Sequence, residues 1–181
     1  DDVESIVISI ESDSFAPIAE LLLSPGQPEM LFTSAADNIA DSVFAAAQGH
    51  PGPIVITTAD NVLLARESVA ALRNALNESD VAFAMAPRGA VLAAHPDGQR
   101  RFYRFRGGEY SNCNLYGIAR HDALDAANVF RGGGQFAKKA SRIVEAFGLL
   151  NLILLRLRVL TLDGMARRIS GRLGLRIAPV V

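Results

Sequence analysis

The sequence predicts a three-layer α/β domain, helices covering a mixed, mostly parallel sheet. Short apolar, β-branched runs at VESIVISI (3–10), PIVITT (53–58) and DVAFAMA (80–86) are too short for buried helices and end in turn signals. Helically spaced apolar residues separate the last two, which makes a strand–helix–strand unit whose sheet must be covered on both faces. At 181 residues, 50% hydrophobic and 20% charged, the chain suits one core, with no internal repeat, heptad array or low-complexity tract.

Taken in order, Val3 to Ile10 reads as a buried strand. A stretch punctuated from Pro17 to Pro28 follows, with a short helix expected around Ile18 to Leu23, and Met30 to Thr33 as a short strand. Ile39, Val43 and Phe44 fall at helical spacing, and Gly49 to Pro53 stops that helix. Pro53 to Asp60 is a strand ending in two threonines and a carboxylate. Leu64, Val69, Leu72 and Leu76 then mark a helix before the strand at Asp80 to Ala86. Beyond Pro87, His95-Pro96-Asp97-Gly98 signals a turn, Arg101 to Arg106 alternates like a strand, and Gly107-Gly108 suits a hairpin. Asn114 to Ala119 reads as a strand, and His121–Val129 and Gln135–Phe147 as helices. Thr161 or Asp163 opens a last helix through Arg172, before a strand within Leu175–Val181.

Charge is divided unevenly. Residues 1–80 carry thirteen carboxylates against Arg66 and Arg73, a net of −11, while 81–181 carry sixteen basic against six acidic residues, a net of +10. Such asymmetry suits an acidic metal-binding side facing a basic phosphate-binding side; it is equally explained by halves that interleave and cancel. The one cysteine, Cys113, cannot form an internal disulfide, and a reducing, cytosolic setting is the expectation. Asp1-Asp2-Val3-Glu4 has neither the basic nor the apolar region of a secretory signal, and none is expected. The greasy stretch Phe147–Leu162 is broken by Asn151, Arg156 and Arg158, which reads as a helix in the core or against a second copy, not as a membrane span.

Asp60 is the leading candidate for chemistry. Ligands of open parallel sheets bind outside the carboxyl ends of strands, and an ionised Asp there can hold Mg²⁺ against substrate phosphates; the plainer reading is a helix cap. No GxSxG, HExxH, CxxC or GxxxxGK[ST] motif occurs. His50, His95 and His121 read as surface or capping residues, and Cys113 as a small buried residue. Gly132-Gly133-Gly134 before a helix with Lys138 and Lys139 has the outline of an anion site, or of a flexible link with a solvated basic turn. Arg100–Arg106 (RRFYRFR) mixes basic and aromatic residues; a half-exposed strand with outward arginines accounts for most of it, and nucleic acid is not the expected partner.

TTADNVLL, RFYRFRGGEYSNCNLYGI, FAKKASRIVEAFG and LTLDGMARRISGRLGLRI, in that order, resemble a bacterial nucleotidyltransferase family related to the molybdenum-cofactor guanylyltransferases (MobA-like NTP transferases). The likeness covers most of residues 53–181. It implies a Rossmann-like sheet of the glycosyltransferase-A, or nucleotide-diphospho-sugar transferase, type. It also implies Mg²⁺-dependent transfer of a nucleoside monophosphate from an NTP to a small phosphorylated or hydroxyl acceptor, with release of pyrophosphate. Asp60 matches the family's metal-binding aspartate, and Thr58 and Asn61 beside it are expected among the nucleotide- or acceptor-binding residues. Ser111 and Asn114 match the segment lining the acceptor side, and Lys138 and Lys139 a basic pair near phosphate. The chain departs from the family at Asn61-Val62, where relatives carry His-Pro, at Asn112, where they tend to carry Gly, and at Ala140, where they carry Pro. One domain over 1–181 is expected, incomplete at both ends, without the family's N-terminal Gly-rich loop and C-terminal Asp segment.

Two rival readings follow from the same residues. A glycosyltransferase using a nucleotide-sugar would sit on the same sheet, though a single Asp instead of a D-x-D pair weighs against it. A non-catalytic relative would serve as a binding or interaction domain. Homo-oligomerisation is compatible with both.

Overall fold

A computed structural model describes residues 3–15, 17–18, 21, 26–98, 101–124 and 148–181. β1 (Ser5–Ile10) pairs in parallel with β2 (Glu29–Ser34), from Ser5 opposite Glu29 to Ile10 opposite Ser34, as a separate two-stranded sheet. α1 (Ile39–Ala46) follows; the side chain of Asn38 accepts from the Asp41 N–H at its start, which satisfies one of the donors that a helix N-terminus leaves open.

The second sheet has five strands. β3 (Ile54–Thr57), β6 (Gly108–Ile118), β4 (Val81–Pro87) and β7 (Ile177–Val180) lie side by side in that order, and β5 (Tyr103–Phe105) pairs with β6. β6 runs antiparallel to β3, β4 and β5, whereas β4 and β7 are parallel. The strand–helix–strand unit of β3, α2 (Arg66–Ala75) and β4 is therefore present, with its two strands running in one direction. The parallel pairing expected between them is not made, because β6 lies between them. No local pattern in 53–86 can report a strand inserted from 108–118.

The strands alternate their apolar side chains between two faces. On one, Ile54, Ile56, Val81 and Ile118 pack with Val43, Phe44 and Ala47 of the α1 region and with Ala123 and Leu124. On the other, Val55, Ala82, Ala84, Leu115 and Val180 pack with Leu72, Ala75 and Leu76 from α2 and its C-terminus. Leu72 and Ala82 are fully buried. The close approach of α2 depends on Gly117: a Cβ there would stand 3.0 Å from Leu76 Cδ1 and 3.2 Å from Leu72 Cγ. Helices thus cover both faces of the five-stranded sheet, and the molecule is a mixed α/β structure.

Several elements differ from expectation. α3 (Arg88–Ala94) is a helix in a stretch without a periodic signal, closed where the His95 N–H donates to Val91 O. β6 begins at Gly108, well before the expected Asn114, directly after a turn at Arg106-Gly107 in which Gly107 takes φ +98°. α4 (Leu149–Arg156) is shorter than the apolar stretch that suggested it and contains no buried residue, so it is not a core helix. α5 (Leu162–Leu173) starts as expected, with Thr161 Oγ1 accepting from the Gly164 N–H, and β7 follows. His121–Leu124 forms a short 3-10 turn; the remainder of that expected helix and the expected helix 135–147 lie outside the described residues, as does most of 18–23.

The charge halves interleave where β4 meets its neighbours. Asp80, buried at the start of β4, belongs to the acidic half and takes its partners from the basic half. Its Oδ2 accepts from the Arg176 N–H at 2.7 Å, and its Oδ1 from Arg120 Nη1 at 2.6 Å and Arg176 Nη2 at 3.3 Å.

Candidate functional site

β3 stops at Thr57, opposite Leu115, but β6 continues seven residues further, back to Gly108. β5 occupies the same edge of β6 only over Gly108–Tyr110. Ser111 to Asn114 therefore lie between the two neighbours on that edge, outside the strand register of both. Across the opposite edge, the register with β4 slips between Phe83 and Met85, whose partners are Tyr116 and Asn112. Two extra residues of β6 are accommodated there. Asn114, in this bulge, adopts φ +50°, a conformation that Asn tolerates better than most residues.

The turn after β3 closes onto this gap. Thr58 O accepts from the Asn61 N–H at 3.1 Å, and Asn61 O accepts from the Leu64 N–H at 3.1 Å. Asn61 Nδ2 donates to Cys113 O at 3.0 Å and to Thr57 Oγ1 at 3.1 Å. The side-chain amide takes up a β6 carbonyl that the end of β3 leaves open. Thr58 Oγ1 donates to Asp60 Oδ1 at 2.5 Å, which fixes the carboxylate at the carboxyl end of β3, exposed to solvent. Within the bulge, Asn112 Oδ1 accepts from the Asn114 N–H at 3.1 Å, and Asn112 Nδ2 donates to the Tyr116 hydroxyl at 2.5 Å and towards Asn114 Oδ1 at 3.4 Å.

Of the residues singled out from sequence, Thr58, Asp60 and Asn61 share one turn, and Asn61 ties it to the strand that carries Ser111 and Asn114. Ser111 is buried and Asn114 exposed. Lys138 and Lys139, with Gly132–Gly134, lie outside the described residues. Asn112 is part of this constellation and was legible only as a departure from a family pattern. The thiol of Cys113 is pushed above its ordinary value by burial, which suits a packing residue. His50 and His121 meet through His121 Nδ1 and His50 O at 3.2 Å, away from the Asp60 turn in sequence and by contact.

The structure of a hypothetical transferase from Thermus thermophilus is similar to this chain. The TM-score is 0.72 at 22% sequence identity, and the match covers 88% of this chain and 68% of that one. The two share a fold. No family model matches the chain, and no curated protein matches it.

The oxygen chemistry at the turn fits a hard cation. Asp60 supplies an exposed carboxylate, with the Thr58 hydroxyl 2.5 Å from it. Among the described residues no group of three or more His, Cys, Asp or Glu side chains is placed to hold a metal. A single carboxylate of this kind is one that Mg²⁺ can use when substrate oxygens and water complete its shell.

Proposed function

We infer that the chain is a Mg²⁺-dependent nucleotidyltransferase, moving a nucleoside monophosphate from an NTP to a small phosphorylated or hydroxyl acceptor. The observation that carries this reading is the Asp60 carboxylate at the carboxyl end of β3, fastened by Thr58 and, through Asn61, to the bulge of β6. The likeness of fold to a hypothetical transferase agrees with it, as does the sequence resemblance around Asp60.

In this reading Asp60 holds Mg²⁺, which would neutralise charge on the triphosphate. Asn61 keeps the turn in register with β6, and Ser111 and Asn114 line the acceptor side. An acceptor oxygen forms a bond to the α-phosphorus while the bond to the bridging oxygen breaks; the nucleotidyl group passes to the acceptor, pyrophosphate leaves with the electron pair, and a hydroxyl acceptor gives up its proton to water. Positioning and charge neutralisation do most of the work in such transfers, so a metal site and a few polar side chains suffice.

The test is a thermal-shift screen with ATP, CTP, GTP and UTP, with and without Mg²⁺, beside Asp60→Asn. A ligand at a hundred times its Kd adds about 2.7 kcal/mol, worth several degrees in a domain of this size. A Mg²⁺-dependent shift for one NTP, lost in Asp60→Asn with the unliganded Tm unchanged, supports the reading. An unaltered shift or retained turnover in Asp60→Asn overturns it.

A further inference from the structure

α4 and the loop after it expose apolar side chains that soluble surfaces ordinarily hide in clusters of this size. Leu149, Leu150, Ile153, Leu157 and Val159 are between 47% and 65% exposed. Arginines are interleaved with them. Arg156 and Arg158 flank Leu157, all three exposed, and a cavity of about 350 Å³ beside Val159 is lined by Arg106, Arg167 and Arg168 together with Thr161. The parts are joined: Arg168 Nη1 donates to Asn151 Oδ1 of α4 at 3.2 Å, and the Arg106 N–H donates to Leu160 O at 2.8 Å. Against these five arginines, Glu109 is already held by Arg88 and Arg104, and Asp163 is the acidic residue of the first turn of α5.

That composition selects its occupant. A second copy related by a two-fold axis would bring the same arginines towards one another. Nucleic acid would use the arginines and leave the leucines and Ile153 in water. An anionic bilayer satisfies both sets at once, phosphates for the guanidinium groups and the acyl boundary for the apolar side chains. Eight helical residues span about 12 Å against roughly 30 Å of hydrocarbon, so α4 can lie on a membrane and not cross it. We propose that α4 and the adjoining arginine-lined cavity dock this protein on an anionic lipid surface, with a lipid phosphate seated among Arg106, Arg167 and Arg168.

The test is co-sedimentation of the full chain with vesicles of phosphatidylcholine alone, or mixed with phosphatidylglycerol. Binding should be at least about tenfold tighter to the mixed vesicles and should weaken with salt. Arg106→Glu and Arg167→Glu should each weaken it by roughly fivefold or more, the factor one arginine near such a surface contributes. Leu150→Asp and Ile153→Asp should weaken it about tenfold; all four sites are exposed, and far-UV circular dichroism checks that the fold is kept. Failure to bind mixed vesicles overturns the proposal. So does binding indifferent to Leu150→Asp and Ile153→Asp but competed by an oligonucleotide, which assigns the patch to nucleic acid. A dimer in sedimentation velocity that Ile153→Asp converts to monomer, with no vesicle binding by either form, assigns it to a second copy.

Discussion

Replacing Asp80 by Asn tests how the sheet is held together. The Asp80 carboxylate is buried where β4, β6 and β7 come together. The Arg176 N–H, the chief influence, and then the Arg176 and Arg120 guanidinium groups hold its pKa at about 2 against an ordinary 3.8, more than offsetting the opposing effect of burial. A fall of that size corresponds to about 2.4 kcal/mol of folding stability at neutral pH. The two arginine side chains are 51% and 69% exposed, so solvent screens the charge–charge part, and roughly 1–2 kcal/mol is the expected share. The folded-state pKa is the lower one, so this stability is fully present well above pH 3.8. It falls to about half near pH 3 and is lost as pH drops through about 2. Urea unfolding of the parent and Asp80→Asn, followed by circular dichroism at pH 7, 5 and 3, reads it directly. The gap between the two proteins should be the same at pH 7 and 5 and shrink by about half at pH 3. A gap that is constant down to pH 3, or that widens, would refute the electrostatic account and leave only the geometry of the hydrogen bonds.

Other consequences are simpler. Leu72→Ala removes a fully buried side chain between α2 and the sheet and should cost about 2–5 kcal/mol in urea unfolding. Gly117→Val places methyl groups where a single Cβ already stands 3.0 Å from Leu76, and should cost roughly 1–3 kcal/mol, partly relieved by Leu76→Ala in the same chain. Cys113 should react with a thiol reagent at pH 8 more slowly than a free cysteine and approach that rate in urea, because burial disfavours the thiolate.

What could be read from the sequence was what neighbouring residues decide. β1, β2, β3, β4 and β7 each stand on a short β-branched or apolar run, α2 on the spacing of Leu64, Leu72 and Leu76, and α5 on the Thr161 cap. Asp60 was marked by its place at the end of such a run. The relation between these pieces was not legible, because it is made by contacts distant in the chain: Asp80 meets Arg176 across 96 residues, and Asn61 meets Cys113 across 52. α4 was legible as an apolar helix but not as to what it packs on, and it is not in the core. Leucine content signals burial only when something is present to pack on it, and composition alone does not say whether that is a core, a partner or a lipid.

The position of β6 decides how the candidate site is built. In a plain parallel unit, β4 would lie beside β3, and the carboxyl ends of both strands would open into loops beyond Thr57. An antiparallel strand in that place instead runs past the end of β3 as continuous backbone, pinned on its far edge by β4 at Asn112, Ser111 and Tyr110. It therefore offers the Asp60 turn a rigid wall in place of a loop, and the bulge turns that wall's polar residues, Asn112 and Asn114, upon each other at the level where β3 gives out. In the transferase reading, a carboxylate that must hold Mg²⁺ to within a fraction of an ångström of its working position is better placed against such a wall than between two loops. The Asn61 amide joins the two parts, which makes it a positioning residue in the transferase reading.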